Sequence, residues 1–156
     1  MRTSFIAQLC AALMITSLFL PWFPDPFGGQ IVPFRILQQI EPSQISQRLA
    51  DLPPEGIAFV ASFVLAALML VLGFMGATPR LLAIVMGGCP LALVGWAAFK
   101  GYQSAAAASI DGAKPDIAQM LTELAKIFQP GAWLWLGAGT VLFLLALIDR
   151  GSPRRR

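Results

Sequence analysis

Four stretches of this chain carry no ionisable side chain other than a thiol: residues 5–23, 56–75, 81–99 and 131–148. Each is 18 to 20 residues long and almost wholly apolar. An α-helix rises about 1.5 Å per residue, so about 20 residues cross the ~30 Å hydrocarbon core of a bilayer. Backbone in lipid must satisfy its own N–H and C=O groups, and for isolated stretches of this length the helix does so. The pattern predicts an all-α fold, a four-transmembrane-helix bundle built as two antiparallel hairpins. Charge agrees: charged residues are 12% of the 156, where soluble domains carry about 25%. The whole chain, 1–156, reads as a single integral membrane domain.

The first stretch has two readings, a cleaved signal peptide or a retained span. No small-x-small cleavage pattern follows it. It ends instead in Leu20-Pro21-Trp22-Phe23, followed by the turn formers Pro24, Asp25 and Pro26. Retention is the expectation, with Trp22 and Phe23 in the aromatic belt at the membrane–water interface, and with Trp96, Tyr102, Trp133 and Trp135 in similar roles.

The connections differ in kind. Residues 76–80 form a tight link, which requires an antiparallel pair of spans. Residues 24–55 and 101–129 are long and polar, and each holds a short amphipathic helix. In the first, Ile45, Leu49 and Leu52 fall at i, i+4 and i+7 and share one face before Pro53-Pro54 ends the helix. In the second, Ile117, Met120, Leu121, Leu124 and Phe128 form a wider stripe, and Pro115 and Asp116 supply a helix start. Neither is long enough to span, so both are expected on the membrane surface or on top of the bundle. Ile36, Leu37 and Ile40 also show helical spacing, and the alanine-rich residues 104–109 extend the third helix beyond its span.

Orientation follows from the cations. Arg2, Arg80, Arg150 and the run Arg154, Arg155 and Arg156 lie on one side in very short segments. Arg35, Arg48, Lys100, Lys114 and Lys126 are spread over the long loops. By positive-inside counting, both termini are cytoplasmic and both long loops lie outside, periplasmic where the host membrane is a cell inner membrane. The two halves, 5–75 and 81–148, read as a candidate internal duplication related by an axis along the membrane normal. The competing reading is that any two amphipathic helices share Ile/Leu spacing.

Several chemistries find no support in the residues. Histidine is absent, which removes imidazole metal ligands and Ser-His or Cys-His catalysis. The two cysteines, Cys10 and Cys89, lie inside predicted spans and not as pairs in the outer loops, so they read as small packing residues. No carboxylate or base interrupts a span, whereas ion and proton pathways ordinarily hold one. The loop acids Asp25, Glu41, Asp51, Glu55, Asp111, Asp116 and Glu123 are scattered without the spacing of an oxygen-ligand site. No basic, aromatic-studded surface suits nucleic acid.

Small residues do recur where helices approach. Ala58, Ser62 and Ala66 are four apart, and Gly137-Ala138-Gly139 thins the fourth span. Gly87-Gly88-Cys89-Pro90 sits near the middle of the third span, where proline removes one backbone bond and predicts a kink.

The expected function is therefore non-catalytic: an accessory, assembly or scaffold subunit acting through its spans and outer helices. Its partners would be the lipid bilayer and another membrane protein or a second copy, with no nucleic acid, metal or cofactor. The alternative is a lipid- or quinone-handling protein or enzyme with a pocket under the outer helices; a channel or transporter ranks below both. Candidate lipid or partner contacts are Gly87, Gly88 and Pro90 at the kink, Ile45, Leu49 and Leu52 in the first loop, and Ile117, Leu121, Leu124 and Phe128 in the second. No catalytic residue is assigned.

Overall fold

The structure, a computed structural model, describes residues 2–25, 29–39, 52–77, 79–108, 118, 122 and 125–148. Its elements are α1 (Arg2–Ser17), β1 (Phe23–Pro24), β2 (Gln30–Ile31), α2 (Pro33–Gln38), α3 (Pro54–Phe74), α4 (Arg80–Ala108) and α5 (Pro130–Ile148). The fold is all-α apart from the two-residue strands. Three helices are long and apolar enough to cross a membrane: Pro54–Phe74, Arg80–Ser104 and Pro130–Ile148. The apolar helix Phe5–Ser17 is shorter.

Four helices close around one core. α1 packs on α3 and α5, and α4 packs on the same two. Their directions alternate. At one end, Gly73 late in α3 lies against Gln8 early in α1, and Arg80 at the start of α4 donates from Nε to the Ala146 carbonyl late in α5 at 2.8 Å. A cation at a helix C-terminus also meets the negative end of the helix dipole. At the other end, Glu55 opening α3 meets Lys100 far along α4. The core between them is made of Ala11, Met14, Ala66, Met69, Met86, Ala138 and Leu142, all buried.

The α3–α4 link shows why it is tight. Gly76 adopts φ +78°, a left-handed conformation that only glycine reaches without strain. The Ala77 amide donates to the Leu72 carbonyl (2.9 Å) and the Gly76 amide to the Gly73 carbonyl (3.0 Å). This pair of bonds is a Schellman ending, which satisfies carbonyls the helix leaves open.

α4 and α5 approach backbone to backbone. A Cβ on Gly87 would stand 2.6 Å from the Gly139 carbonyl oxygen and 2.6 Å from the Phe143 amide nitrogen. A Cβ on Gly139 would stand 2.7 Å from the Pro90 ring. Pro90 is itself buried, and α4 remains helical from one side of it to the other. The glycines around Pro90 thus serve to admit α5.

The first helix departs from expectation. The apolar stretch 5–23 predicts one helix, but α1 stops at Ser17 and Phe23 is already in a strand. Pro21 accounts for this. Its nitrogen has no hydrogen to give the Ser17 carbonyl four residues back, and it disfavours helical geometry at Leu20. Leu18, Phe19 and Leu20 instead donate to carbonyls three residues back, at 3.1 to 3.2 Å. The chain then turns through a hairpin in which Phe23 pairs with Ile31 and Pro24 with Gln30.

Three expectations about helices fall on described residues. Ile36 and Leu37, expected at helical spacing, lie in α2. α4 does continue through the alanine-rich segment as far as Ala108. In the second long loop, Ala118, Thr122 and residues 125–127 are helical. Over the described residues the two halves differ: α1 ends in a hairpin and the short α2, whereas α4 runs on as helix.

The Gly87–Gly139 contact makes a direct prediction. Gly87→Ala should lower the melting temperature in detergent, because the new methyl meets backbone that cannot move aside; overpacking of this kind costs about 1–3 kcal/mol. Gly137→Ala, on the open side of α5 with nothing within 4 Å, should be neutral or raise it, since alanine favours helix by up to ~1 kcal/mol. Equal losses in the two variants would contradict the packing described.

Candidate functional site: the aromatic end of the bundle

The features with most structure around them gather at one end, where α1 finishes and α3 and α5 begin. Trp22 lies at the centre, 4% exposed. Its ring packs edge-on to Phe59 (5.2 Å, 87°) and tilted against Trp135 (5.2 Å) and Phe63 (6.1 Å). Phe59, Phe63 and Trp135 close on one another at 5.1 to 6.3 Å. Edge-to-face and offset pairs of this kind add to the burial of their large surfaces. The layer continues outward through Phe23, Phe128 and Trp133, with ring centres 5.7 and 6.0 Å apart in successive pairs.

Buried indoles need acceptors. Trp22 Nε1 donates to the Ser17 carbonyl at 2.7 Å, the carbonyl that Pro21 leaves without its usual partner. Trp135 Nε1 donates to Ser62 Oγ at 3.3 Å, and the Ser62 hydroxyl in turn donates to the Phe59 carbonyl at 2.7 Å. Ser17 Oγ donates to the Met14 carbonyl at 2.6 Å. The Trp22 main chain is held on both sides: its amide donates to Ile31 (2.9 Å), and its carbonyl accepts from the Gln129 amide (3.0 Å). Beside it, the Gly131 amide donates to the Pro21 carbonyl at 2.9 Å. These bonds staple the end of α1 to the start of α5, 109 residues further along the chain at the Pro21–Pro130 level.

Two belt assignments change as a result. Trp22 and Trp135 are core residues, not interfacial ones. The apolar run around each is equally compatible with either role; the difference comes from the turn at Pro21, which swings Trp22 back over the bundle. Trp133 and Trp96 do show their rings, each 48% exposed.

A second cluster sits on the outer rim of the same end. Glu55 Oε1 accepts from Lys100 Nζ at 2.6 Å and from Trp96 Nε1 at 2.9 Å. The Lys100 ammonium also stands 5.4 Å from the Trp96 ring centre. Glu55 lies in the first turn of α3, where a negative charge suits the helix dipole. No motif in the sequence links Glu55 to Trp96 and Lys100, 41 and 45 positions further along; only the antiparallel α3–α4 hairpin brings them together. The pair is partly exposed, so it registers two helices more than it stabilises them.

The sequence-derived contact residues are distributed as follows. Ile45, Leu49, Ile117, Leu121 and Leu124 lie outside the described residues. Leu52 packs under the start of α3, close to Gly56. Phe128 bridges Phe23 and Trp133. Gly87 and Pro90 are covered by α5, and Gly88 is half-buried beside the Phe143 ring. Cys10 is buried, and Cys89 donates weakly from Sγ to the Ala58 carbonyl at 3.2 Å, which links α4 to α3.

Chemically, this end is a clamp. Its buried donors are matched internally. One buried polar atom, Gln129 Oε1, has no hydrogen-bond partner among the described residues. Among the described residues no group of three His, Cys, Asp or Glu side chains is placed to hold a metal ion.

Trp22→Phe keeps an aromatic ring but removes the stronger of the two donors to the Ser17 carbonyl, which retains the Leu20 amide; losing one hydrogen bond costs about 0.5–1.5 kcal/mol, so a lower melting temperature is expected. Gly131→Ala should do at least as much damage, because its Cβ would stand 2.5 Å from Trp22 Cδ1 and 2.8 Å from the Pro21 carbonyl. Trp133→Phe, at an exposed ring, should leave the melting temperature unchanged. No protein-family model, curated protein or solved structure matches this chain.

Proposed function

We propose that this chain is a multi-pass membrane protein that works by interaction, as an accessory, assembly or scaffold subunit. The observation that carries the reading is the division between its inside and its outside. The outward positions of the three long helices are large and apolar: Val64, Leu68 and Val71 on α3, Val85 and Leu91 on α4, Val141, Leu144 and Leu147 on α5. A soluble protein of this size rarely shows apolar surface so continuous; lipid accepts it. The inside is packed with small, methionine and aromatic side chains, and its buried Ser and Trp donors are bonded within the bundle, as suits a rigid body that presents surfaces.

In this reading α1 is the fourth span. It lies alongside α3 and α5, and the turns through Leu20 carry the chain the remaining distance. The termini and the Gly76 link face the cytoplasm, and both long loops face outward, following the arginines. A reporter active only outside the cytoplasm should give signal when fused after Gln39 and none after Ala77. Signal at both positions, or at neither, would remove α3 as a span, and signal after Ala77 alone would invert the topology.

One observation favours a lipid- or quinone-handling role as a second reading. Gln129 Oε1 is a buried acceptor with no donor among the described residues, on the stretch of chain that bonds Trp22. A ligand hydroxyl or amine could supply that donor. The test for both readings is a mild-detergent pull-down from the host membrane followed by native mass spectrometry. The subunit reading predicts a stoichiometric protein partner that survives Gln129→Leu. A lone chain or homo-oligomer carrying a defined lipid or quinone, lost in Gln129→Leu, would overturn it in favour of the second.

A further inference from the structure

α2 stands apart from the four packed helices, and its placement gives it a task. It starts at Pro33, directly after β2, and its Phe34 amide donates to the Leu18 carbonyl at 3.1 Å. The Phe34 ring packs on Phe19 with centres 4.5 Å apart. α2 is thus anchored to the turn that follows α1. This is the level at which Gly131 bonds Pro21, and at which the bundle shows Trp133 on the first turn of α5. Exposed tryptophans at the ends of apolar helices mark the depth of the membrane–water boundary.

α2 exposes two large apolar side chains beside polar ones, Arg35 and Gln38. Ile36 is 51% and Leu37 49% exposed, and Phe19, which packs on Phe34, is also exposed. Arg35 is exposed within the same turn, and residues 29–39 contain no acid. Apolar side chains with a cation among them, at interfacial depth, match the acyl–headgroup boundary of a bilayer with anionic lipid.

We infer that α2 is an interfacial foot. Ile36, Leu37 and Phe19 enter the outer boundary of the bilayer, and Arg35 meets a lipid phosphate there. The foot fixes the height of the hairpin, and through Trp22 the height of the aromatic end, relative to the membrane. This rests on the membrane reading above.

The test separates the two. In a Cys10→Ala, Cys89→Ala background, Leu37→Cys and Leu68→Cys are each labelled with an environment-sensitive fluorophore. The full chain is reconstituted into phosphatidylcholine–phosphatidylglycerol vesicles whose acyl chains are brominated near the glycerol end. The expected result is blue-shifted, bromine-quenched emission from position 37, quenched less when Arg35→Glu is added. Water-like, unquenched emission at 37 with an apolar environment at 68 would overturn the foot while leaving the membrane reading intact. Blue-shifted but unquenched emission at 37 would show that a second copy covers the face, and would also overturn it. A water-like signal at 68 would sink the membrane reading and the foot together. An Arg35→Glu response identical to the parent's would overturn the headgroup contact of Arg35.

Discussion

The bond from the Trp22 indole to the Ser17 carbonyl does several things at once. Pro21 breaks α1 and removes the usual amide partner of the Ser17 carbonyl at a buried helix end, leaving it only the tighter-turn bond from the Leu20 amide at 3.2 Å and a second lone pair to satisfy. The indole of the next residue answers it at 2.7 Å. To do so the ring must lie back across the bundle, which seats it against Phe59, Phe63 and Trp135. With the ring in place, the Pro21 and Trp22 carbonyls point at the Gly131 and Gln129 amides. Glycine at 131 is needed because the indole occupies the space a side chain would take. Helix ending, aromatic layer and long-range staple thus have one origin.

The opposite design holds α4 to α5. There the contact rests on small residues: Gly87, Gly139 and the flat face of Pro90 let two backbones meet, and dispersion between closely packed atoms does the work that an apolar solvent cannot. The hairpin α3–α4 adds directional contacts at its two ends, the Schellman turn at Gly76 and the Glu55–Lys100–Trp96 cluster. One end of the molecule is therefore locked by aromatic side chains and hydrogen bonds, and the middle by close backbone approach. A rigid body with an apolar exterior and two polar loops is a reasonable platform for interaction, and this is why an accessory role is the proposal.

Much of the helical content could be read from residues alone, for clear reasons. A 20-residue run without charge leaves backbone little choice but helix, so α3, α4 and α5 appear where hydropathy puts them. Gly76 and Pro79 announce the tight link, and the alanines after Ser104 extend α4 as their propensity suggests. The limits are equally physical. Hydropathy does not distinguish a tryptophan that faces lipid from one that faces the core, so Trp22 and Trp135 were indistinguishable from Trp133. Pro21 was visible, but its reach was not: a proline can end a helix at once or one turn earlier, and the indole bond decided it here. The Glu55–Lys100–Trp96 cluster and the pairing of Gly87 with Gly139 depend on helix register between antiparallel partners, which no local pattern encodes. The hairpin at Phe23 and Ile31 follows from where Pro21 ends α1, which is local, and from the staple at Gln129, which is long-range.

The most direct measurement is hydrogen exchange at the four indole N–H groups, followed by NMR in lipid nanodiscs with each signal assigned by single Trp→Phe replacement. The Trp22 indole should be the slowest, or match Trp135, because both are buried and bonded, while Trp133 exchanges freely. A Trp22 indole exchanging as fast as that of Trp133 would mean that the bond to Ser17 does not form, and the aromatic end as described would fall with it.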